Sequence, residues 1–310
     1  MKILISDTLD EEGIKIFEEN GFDVIKNFNI TKEELAKDIE KYDAIVVRSR
    51  TKLTANIIEK AKNLKVIGRA GVGLDNIDLK KAKELNITVL NTPEAPSVSV
   101  AELALGMMFS LARYISIADE TMHRNEWNKN DYLGYTLHGK KLGLIGFGNI
   151  GKELAKRAIA LGMKVGVYSR FSKGQSAIDE AKNFGCTIYS SIEEALKDAQ
   201  IISLHLPATE KTENIINEST LKSMKPNSIL INTARGKLVD EGALVKALKN
   251  KQIAGAALDV FWEEPLKNQD LINCKDNLIL TPHIGSQTEE TQSSAATGIA
   301  QKISHFLKSK

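Results

Sequence analysis

Cysteine is scarce in this chain: 310 residues contain only Cys186 and Cys274, which are not spaced as a CxxC motif. Such a pair indicates buried free thiols and suits a reducing compartment. Long apolar runs are also missing, since none approaches the roughly 18 residues of a membrane span. The first residues lead directly into a predicted strand and helix, without the apolar core of a signal peptide. We therefore expect a cytoplasmic protein with no membrane partner.

A strong charge of one sign is absent too. The 42 basic and 40 acidic side chains leave a formal net charge of +2, which gives no general attraction to nucleic acid or to an anionic membrane. Any bound anion must therefore be held by local basic residues. The chain is 42% hydrophobic and 26% charged, as in ordinary globular proteins, and it is long enough for two domains.

One glycine-rich stretch stands out in this ordinary composition. Residues 142–145 form an apolar run, Gly146-Phe147-Gly148-Asn149-Ile150-Gly151 follows at once, and residues 153–161 have helical spacing before a second apolar run at 164–168. In such a βαβ unit the first glycine permits a sharp turn, the second admits a pyrophosphate, and the third lets helix and strand pack closely. The pattern predicts dinucleotide binding. The alternative is a glycine-rich turn in an unrelated α/β protein.

Strands alternate with helices on both sides of this motif. Strands are predicted at 2–5, 22–25, 44–47, 65–68 and 88–90, and later at 201–204, 228–231, 253–258 and 278–280. Thr31 and Glu34 have the spacing of a capping box, and Asp78 is placed to cap another helix. Strands separated by helices predict parallel sheets.

The best domain boundary is Asn91-Thr92-Pro93-Glu94-Ala95-Pro96, where two prolines prevent a regular element. A helical segment at 289–308 has no domain of its own, so we expect it to return to the first one. The predicted substrate-binding domain is thus 1–91 plus 284–310, and the dinucleotide-binding domain is 92–283. The fold class is α/β, with two Rossmann-like or flavodoxin-like domains, parallel sheets and an active site in the cleft between them.

A long apolar segment follows the boundary. Residues 97–124 include AELALGMMFSLARYISIA, which places apolar side chains on most faces of a helix. A helix of this kind must be buried on most faces, and Glu102 and Arg113 within it argue against a membrane span. We predict a homodimer built on the dinucleotide-binding domain, because such a surface would otherwise favour aggregation.

A second glycine-rich loop precedes the boundary. Gly68-Arg69-Ala70-Gly71-Val72-Gly73-Leu74-Asp75 follows a predicted strand but opens no helix. Its backbone N–H groups can meet a small anion. A purely structural turn is the alternative.

Three polar residues follow predicted strands of the second domain: Arg235, Glu264 and His283. Ligands of open α/β sheets bind beyond the carboxyl ends of strands, so the three can face one cleft. A guanidinium can bind and polarise a 2-oxo acid, an imidazole can exchange its proton, and a carboxylate can keep that imidazole charged. Hydride must come from a nicotinamide. Taken singly, each residue has a plainer explanation as a solvated charge, a turn residue or a structural histidine.

Four motifs follow one another along the chain: the glycine motif, NTARGKLVDEGAL, ALDVFWEEPL and LTPHIGSQT. In this order and at this spacing the chain resembles the D-isomer-specific 2-hydroxyacid dehydrogenases, and the resemblance extends over nearly its whole length. The resemblance implies that Arg235 binds substrate, Glu264 is the partner of the base, and His283 is the acid/base. It also implies a set of cofactor contacts, with Asp259 near the nicotinamide carboxamide: Gly146, Gly148, Asn149, Ile150, Gly151, Pro207, Ala234, Asp259 and Gly285. We expect no metal site.

The first half resembles the D-3-phosphoglycerate dehydrogenase subfamily, through Val47-Arg48-Ser49, GRAGVGLDNID and NTPEAPSVSVAEL. This implies that the backbone of Gly71 and Val72 holds the substrate carboxylate, while Arg48 and Arg69 face a phosphate. The implied reaction is oxidation of 3-phosphoglycerate to 3-phosphohydroxypyruvate in serine synthesis, or its reversal. Because one helix follows His283, we expect no serine-sensing regulatory domain.

The end of the second βαβ strand departs from the NAD-binding pattern. An Asp or Glu commonly stands there and binds the ribose 2′-hydroxyl, whereas here Ser169-Arg170 follows Tyr168, with Lys173 nearby. Arg170 can pair with a 2′-phosphate, and NADPH-using reductases of the family carry similar Ser-Arg pairs. The cofactor is therefore NAD or NADP, and Ser169-Arg170 suggests NADP(H).

Two other functions remain open. The first is an NADPH-dependent glyoxylate or hydroxypyruvate reductase, and the second is a dinucleotide-sensing corepressor that binds without catalysis. The intact set of Arg235, Glu264 and His283 argues against the corepressor. Glu264 also argues against a formate dehydrogenase, which lacks an ionisable partner for its base.

Overall fold

The computed structural model describes residues 1–169 and 174–309, and the chain forms two compact units. Unit 1 comprises Met1–Ser97 and Ser286–Lys310, and unit 2 comprises Val98–Gly285. The chain first passes from unit 1 to unit 2 after Ser97, six residues beyond the boundary expected from the proline pair. A reason is visible at Thr92, whose N–H donates to the Gly71 carbonyl and whose hydroxyl accepts from the Gly71 N–H, so that this segment stays with unit 1.

The strands in the described part of the chain pair in parallel throughout. They are β1 Lys2–Ile5, β2 Asp23–Lys26, β3 Ala44–Val47, β4 Val66–Arg69, β5 Thr88–Asn91, β6 Lys141–Ile145, β7 Lys164–Tyr168, β8 Thr187–Ile188, β9 Ile201–Leu204, β10 Ile229–Asn232, β11 Gly255–Leu258 and β12 Leu278–Leu280.

The α-helices of the described ranges connect these strands. They are α1 Glu11–Glu19, α2 Lys32–Asp38, α3 Ala55–Ile58, α4 Leu79–Glu84, α5 Ser97–Arg113, α6 Ile115–His123, α7 Asn149–Ala160, α8 Gln175–Asn183, α9 Ile192–Asp198, α10 Glu218–Ser223, α11 Glu241–Lys249, α12 Gln269–Ile272 and α13 Glu289–Lys308. Short 3-10 turns lie at Ile39–Lys41, Lys129–Asp131 and Gly236–Leu238.

Unit 1 has a five-stranded sheet in the order β2-β1-β3-β4-β5, which is the flavodoxin-like arrangement. Thr31 and Glu34 form the predicted capping box at the start of α2, and Asp78 caps α4 through the Lys81 N–H. The C-terminal helix α13 packs on α1, β4 and β5. It contacts α1 so closely that a Cβ at Gly13 would lie 2.6 Å from the Ala296 backbone. Unit 1 is therefore built from two separate chain segments.

Unit 2 has a seven-stranded sheet in the order β12-β11-β10-β9-β6-β7-β8. The chain runs outward from β6 to β8 and then resumes on the other side of β6 at β9, so the strand order reverses between β6 and β9. Ligands of doubly wound sheets bind beyond the carboxyl ends of the strands at such a reversal. The glycine motif directly follows β6 and therefore lies at this position.

The expected single helix across residues 97–124 is wrong, because α5 and α6 are separate helices bent by 65° at Tyr114. Tyr114 has φ of 56°, which breaks the regular helix. Burial on most faces holds for α5, where Val98 and Phe109, 45% and 39% exposed, belong to a single exposed stripe. It fails for α6, where Thr121 is the buried residue. Among the described residues, no single helix has the length and apolar character to cross a membrane, and the bent pair α5–α6 meets that test only when taken together.

Candidate active site

The three predicted catalytic residues follow three neighbouring strands of unit 2. The strand ends Asn232, Leu258 and Leu280 are register partners across β10, β11 and β12. Arg235, Glu264 and His283 come after these ends, at the same edge of the sheet. The structure thus brings the three onto adjacent loops of one unit.

His283 and Glu264 form a hydrogen-bonded pair. The distance from His283 Nδ1 to Glu264 Oε2 is 2.8 Å, and the side chains are 48% and 39% exposed. The other carboxylate oxygen of Glu264 accepts the Phe261 N–H at 3.1 Å, which fixes the orientation of the carboxylate. With Nδ1–H donating to Glu264, the remaining ring nitrogen, Nε2, is the atom able to exchange a proton with a ligand.

Each member of the pair shifts the pKa of the other. The hydrogen bond to Glu264 is the main influence that raises the pKa of His283, and it outweighs the effects of burial and of the Arg235 charge. Burial acts to raise the pKa of Glu264, but the bond and charge of His283, the Phe261 N–H and the Arg235 charge together lower it. The pair therefore favours an imidazolium beside a carboxylate, as expected for opposite charges in contact.

Asp259 fixes the loop that carries His283. Its carboxylate is 1% exposed. Oδ1 accepts the Thr281 hydroxyl at 2.6 Å and the Ile284 N–H at 2.8 Å, while Oδ2 accepts the Gly285 N–H at 2.9 Å. These donors flank His283, whose backbone has a φ of 55° in the left-handed region. Asp259 thus stabilises an uncommon backbone conformation at the proposed acid/base.

Arg235 lies on a turn held by Asn232, a residue that sequence reasoning did not single out. The fully buried Asn232 donates through Nδ2 to the Arg235 carbonyl at 2.9 Å and accepts the Ala234 N–H at 3.1 Å. Arg235 Nη1 donates to the Ala234 carbonyl at 2.7 Å. The signal that could have found Asn232 is a polar residue at the end of an apolar strand, as with the predicted three.

The glycine motif has the geometry that a dinucleotide phosphate requires. Gly146 has φ of 107°, and a Cβ there would lie 2.2 Å from the His205 carbonyl oxygen. A Cβ on Gly151 would lie 2.7 Å from the Gly146 carbonyl oxygen, so both positions demand glycine. A Cβ at Gly148 would face open space, since apart from Gly148 and its chain neighbours no heavy atom of the described chain lies within 4 Å of it. Asn149 and Ile150 then begin α7, whose N-terminus has no side-chain cap within the described residues.

Two buried polar atoms just after β9 and β10 are also placed to bind a ligand. Leu204 and Asn232 are register partners, and the next residues are His205 and Thr233. Among the described residues, His205 Nδ1 and Thr233 Oγ1 are buried side-chain atoms without a hydrogen-bond partner. Burial lowers the pKa of His205 to about 4, so this imidazole is neutral near pH 7. Such atoms require a partner, and a cofactor beside the glycine motif can supply one.

The remaining predicted cofactor residues lie on loops of the same unit. Pro207 follows β9 and is held by the Thr212 hydroxyl, which donates to its carbonyl at 2.7 Å. Ser169 follows β7 directly and is partly buried. Arg170 and Lys173 lie outside the described residues. Together these observations fit a dinucleotide, with the glycine motif at its phosphates.

Unit 1 places Arg48 after β3 and Arg69 at the end of the adjacent strand β4, with Val47 and Arg69 in register. Arg48 lies on a loop held by Asp7, which is 4% exposed and accepts the Arg48 N–H at 2.6 Å. Burial lowers the pKa of Arg48, and the charge of Asp7 opposes this effect. The two arginines thus follow neighbouring strands at the carboxyl edge of the unit 1 sheet.

Arg69 folds over the glycine loop that follows it. Its Nη1 donates to the Ala70 carbonyl at 3.1 Å. A Cβ on Gly71 would lie 1.4 Å from Arg69 Nη1. The Gly71 N–H donates to Thr92 Oγ1 at 2.8 Å. Gly71 can therefore bind a carboxylate through this N–H only by exchanging the bond to Thr92, and its assignment together with Val72 stays a prediction.

Comparison with known proteins agrees with this geometry. The family model for the D-isomer specific 2-hydroxyacid dehydrogenase, NAD binding domain, matches residues 105–285. The chain is 47% identical to the D-3-phosphoglycerate dehydrogenase of Methanocaldococcus jannaschii over 99% of its own length and 58% of that relative. It is 43% identical to the hydroxypyruvate reductase of Thermotoga maritima over 97% of both chains.

Solved structures give the same result. The NAD+-bound 3-phosphoglycerate dehydrogenase of Entamoeba histolytica superposes with a TM-score of 0.82 at 30% identity, over 99% of this chain and 95% of that one. The chain spans little more than half the length of the first phosphoglycerate dehydrogenases it matches. The family model and these relatives show that the chain belongs to the D-isomer specific 2-hydroxyacid dehydrogenases.

Proposed function

We propose that this chain interconverts a D-2-hydroxy acid and its 2-oxo acid with a nicotinamide cofactor, and that 3-phosphoglycerate and 3-phosphohydroxypyruvate are its substrate pair in serine synthesis. The observation that carries the proposal is the His283–Glu264 pair at 2.8 Å, which joins the loops after β12 and β11, beside the loop after β10 that carries Arg235. Oxidation of a 2-hydroxy acid requires a base that accepts the hydroxyl proton and a cation that binds the substrate carboxylate. His283 can supply the base and Arg235 the cation.

The residues of unit 2 divide the reaction between them. When bound, the nicotinamide accepts or supplies the hydride. Arg235 binds the substrate carboxylate and polarises the C2 oxygen through charge-assisted hydrogen bonds. During oxidation neutral His283 takes the hydroxyl proton at Nε2, and Glu264 stabilises the imidazolium that forms. In the reverse direction the imidazolium returns that proton to the developing alkoxide.

The phosphate end of the substrate is assigned to unit 1. We propose that Arg48 and Arg69 pair with the phosphate and that the Gly71-Val72 backbone contributes to binding of the carboxylate. The support is their position beyond β3 and β4, where open sheets bind ligands. The names of the phosphoglycerate dehydrogenase relatives agree with a phosphorylated substrate.

A second candidate is an NADPH-dependent hydroxypyruvate or glyoxylate reductase, and one observation favours it. Ser169 follows β7 where a carboxylate would otherwise discriminate against a 2′-phosphate. The likeness to a hydroxypyruvate reductase along its whole length points the same way. The corepressor alternative is less supported, because binding alone would not require the His283–Glu264 pair.

Steady-state rates separate these candidates. 3-Phosphoglycerate, hydroxypyruvate and glyoxylate are each assayed with NAD(H) and with NADP(H). A kcat/KM for the phosphorylated pair at least tenfold above the others supports the leading proposal. Preference for hydroxypyruvate or glyoxylate with NADPH supports the reductase, and no turnover of any of them contradicts both.

We further propose that the protein is a cytoplasmic homodimer joined through unit 2. Support comes from apolar side chains that remain exposed on and after α5 and α6: Val98, Phe109, Ile115, Met122, Trp127 and Leu133. Trp127 and Leu133 are 79% and 90% exposed. All six lie within one stretch of the chain, and large exposed apolar surfaces typically mark a protein–protein interface.

A further inference from the structure

The loop that carries Glu264 has no regular structure of its own. It joins the end of β11 at Leu258 to the start of α12 at Gln269. A partly exposed carboxylate on an irregular loop has many accessible positions, and ordering it costs conformational entropy. The contact between Glu264 and His283 therefore depends on whatever fixes this loop.

Glu241 holds the loop at two points. Its Oε1 accepts the backbone N–H of Trp262 at 2.9 Å, and its Oε2 accepts the side-chain amide of Asn268 at 2.7 Å. Trp262 precedes Glu264 and Asn268 follows it. Glu241 lies in the first turn of α11, so one carboxylate ties both arms of the loop to a helix through charge-assisted hydrogen bonds.

The residues just before α11 also contact the Glu264 loop, at Phe261 and Trp262. The Trp262 indole N–H donates to the Val239 carbonyl at 2.7 Å. A Cβ on Gly236 would lie 1.9 Å from the Phe261 carbonyl carbon, so the turn after Arg235 packs directly on the Phe261–Trp262 peptide. Phe261 is the residue whose N–H binds the Glu264 carboxylate. The tie at Trp262 is thus one residue from the group that orients Glu264.

We propose that Glu241 is a positioning residue for the acid–base pair: by holding Trp262 and Asn268 it fixes the Glu264 loop, and with it the contact between Glu264 and His283. The inference rests on the proposed function, since the pair limits the rate only if His283 exchanges the substrate proton. Glu241 acts through the loop and contacts neither His283 nor the reacting atoms.

The test compares Glu241→Gln with Glu263→Gln. Both remove one negative charge, but Glu263 lies in the same loop, is 63% exposed and pairs only with Lys267 among the described residues. Asn268→Ser is a third variant, which removes one tie without changing the charge. Serine preserves the N-cap of α12 that Asn268 provides.

The pKa of His283 is measured by NMR on protein with ring-labelled histidine, and its signal is identified by its loss in His283→Asn. In Glu241→Gln we expect that pKa to fall by about half a pH unit or more, since a looser Glu264 favours the imidazolium less. We expect kcat to fall about fivefold or more, because proton exchange depends on the pair, with KM for the cofactor little changed. Asn268→Ser should give smaller changes in the same directions, and Glu263→Gln should resemble the wild type.

Equal values of the His283 pKa and of kcat in Glu241→Gln and Glu263→Gln would overturn the proposal. If Glu241→Gln does not fold, Asn268→Ser decides, and an unchanged His283 pKa in that variant overturns it. The titration uses no substrate. Failure to turn over any 2-hydroxy acid would therefore remove the proposed function and leave the pKa comparison intact.

Discussion

At the scale of single residues, His283 is the proposed acid/base, so its loss should reduce activity most. We expect His283→Ala to lower kcat by roughly 10²–10⁴-fold while cofactor affinity changes little, because general acid–base catalysis is lost and the glycine motif is untouched. Steady-state kinetics and cofactor titration measure the two effects. His123→Ala, on an 81% exposed histidine of α6, is the matched control, and a fully active, folded His283→Ala would exclude this role.

The pH dependence follows from the raised pKa of His283. Oxidation requires neutral imidazole, so kcat/KM for the hydroxy acid should rise as the pH passes upward through this pKa; reduction requires the imidazolium and should fall over the same range. Glu264→Gln removes the charge that raises the pKa of His283, so this pKa should fall. The rise of kcat/KM for oxidation and its fall for reduction should then both occur at lower pH. The check is the pH profile of both directions in wild type and variant. Unchanged profiles would mean that Glu264 does not act on His283.

The two arginines of unit 1 give a prediction about substrate choice. We expect Arg48→Ala or Arg69→Ala to raise KM for 3-phosphoglycerate by roughly 10–100-fold, since a hydrogen bond between charged groups contributes about 1.5–3 kcal/mol. KM for an unphosphorylated 2-hydroxy acid should change much less. Lys52→Ala, on an exposed lysine nearby, is the control. Equal losses on both substrates would show that the arginines serve structure instead.

The candidate catalytic residues at strand ends could be predicted from the sequence, whereas the side chains that hold their loops in place could not. Arg235, Glu264 and His283 each follow an apolar run, so their shared edge could be inferred from parallel topology. Glu241 was not recognisable, because its partners Trp262 and Asn268 are identified only by the path of an irregular loop. Contacts of this kind are set by tertiary structure and leave no periodic pattern.

At the scale of elements, β7 occurs at Lys164–Tyr168 as predicted, whereas α7 begins at Asn149, four residues before the helical spacing at 153–161. The signals of this βαβ unit are local: apolar runs, glycines and helical spacing. The break between α5 and α6 was missed, because the left-handed backbone of Tyr114 is not encoded by a glycine or a proline. The short strand β8 has only two residues, too few for a periodic signal.

The end of β7 carries the prediction about the cofactor. We expect NADP(H) to be used at least as well as NAD(H), because Ser169 offers no carboxylate to repel a 2′-phosphate. In Ser169→Asp the preference should move toward NAD(H) by about tenfold or more, for which about 1.4 kcal/mol suffices. The measurement is kcat/KM for both cofactors in wild type and variant. A strong wild-type preference for NAD that the new aspartate leaves unchanged would refute the prediction.

At the scale of the whole molecule, the exposed apolar surface of unit 2 predicts assembly. We expect a dimer at low micromolar concentration, and Phe109→Lys should weaken it, because burying an unpaired charge in an interface is unfavourable. Light scattering across a dilution series measures the effect. Leu161→Lys is the matched control, since Leu161 and Phe109 are each 39% exposed. A wild-type monomer, or equal behaviour of the two variants, would contradict this assembly.

During synthesis the segment Met1–Ser97 of unit 1 leaves the ribosome long before α13, the helix that completes this unit. At about 5–20 residues per second, synthesis of Val98–Gly285 takes on the order of 10–40 s. Throughout this interval α13 is not available to cover the apolar face to which Ile3, Ile5 and Phe17 contribute. Unit 2 is continuous and emerges complete, so it can fold while unit 1 waits. Unit 1 can thus reach its native structure only after the whole of unit 2 has been made.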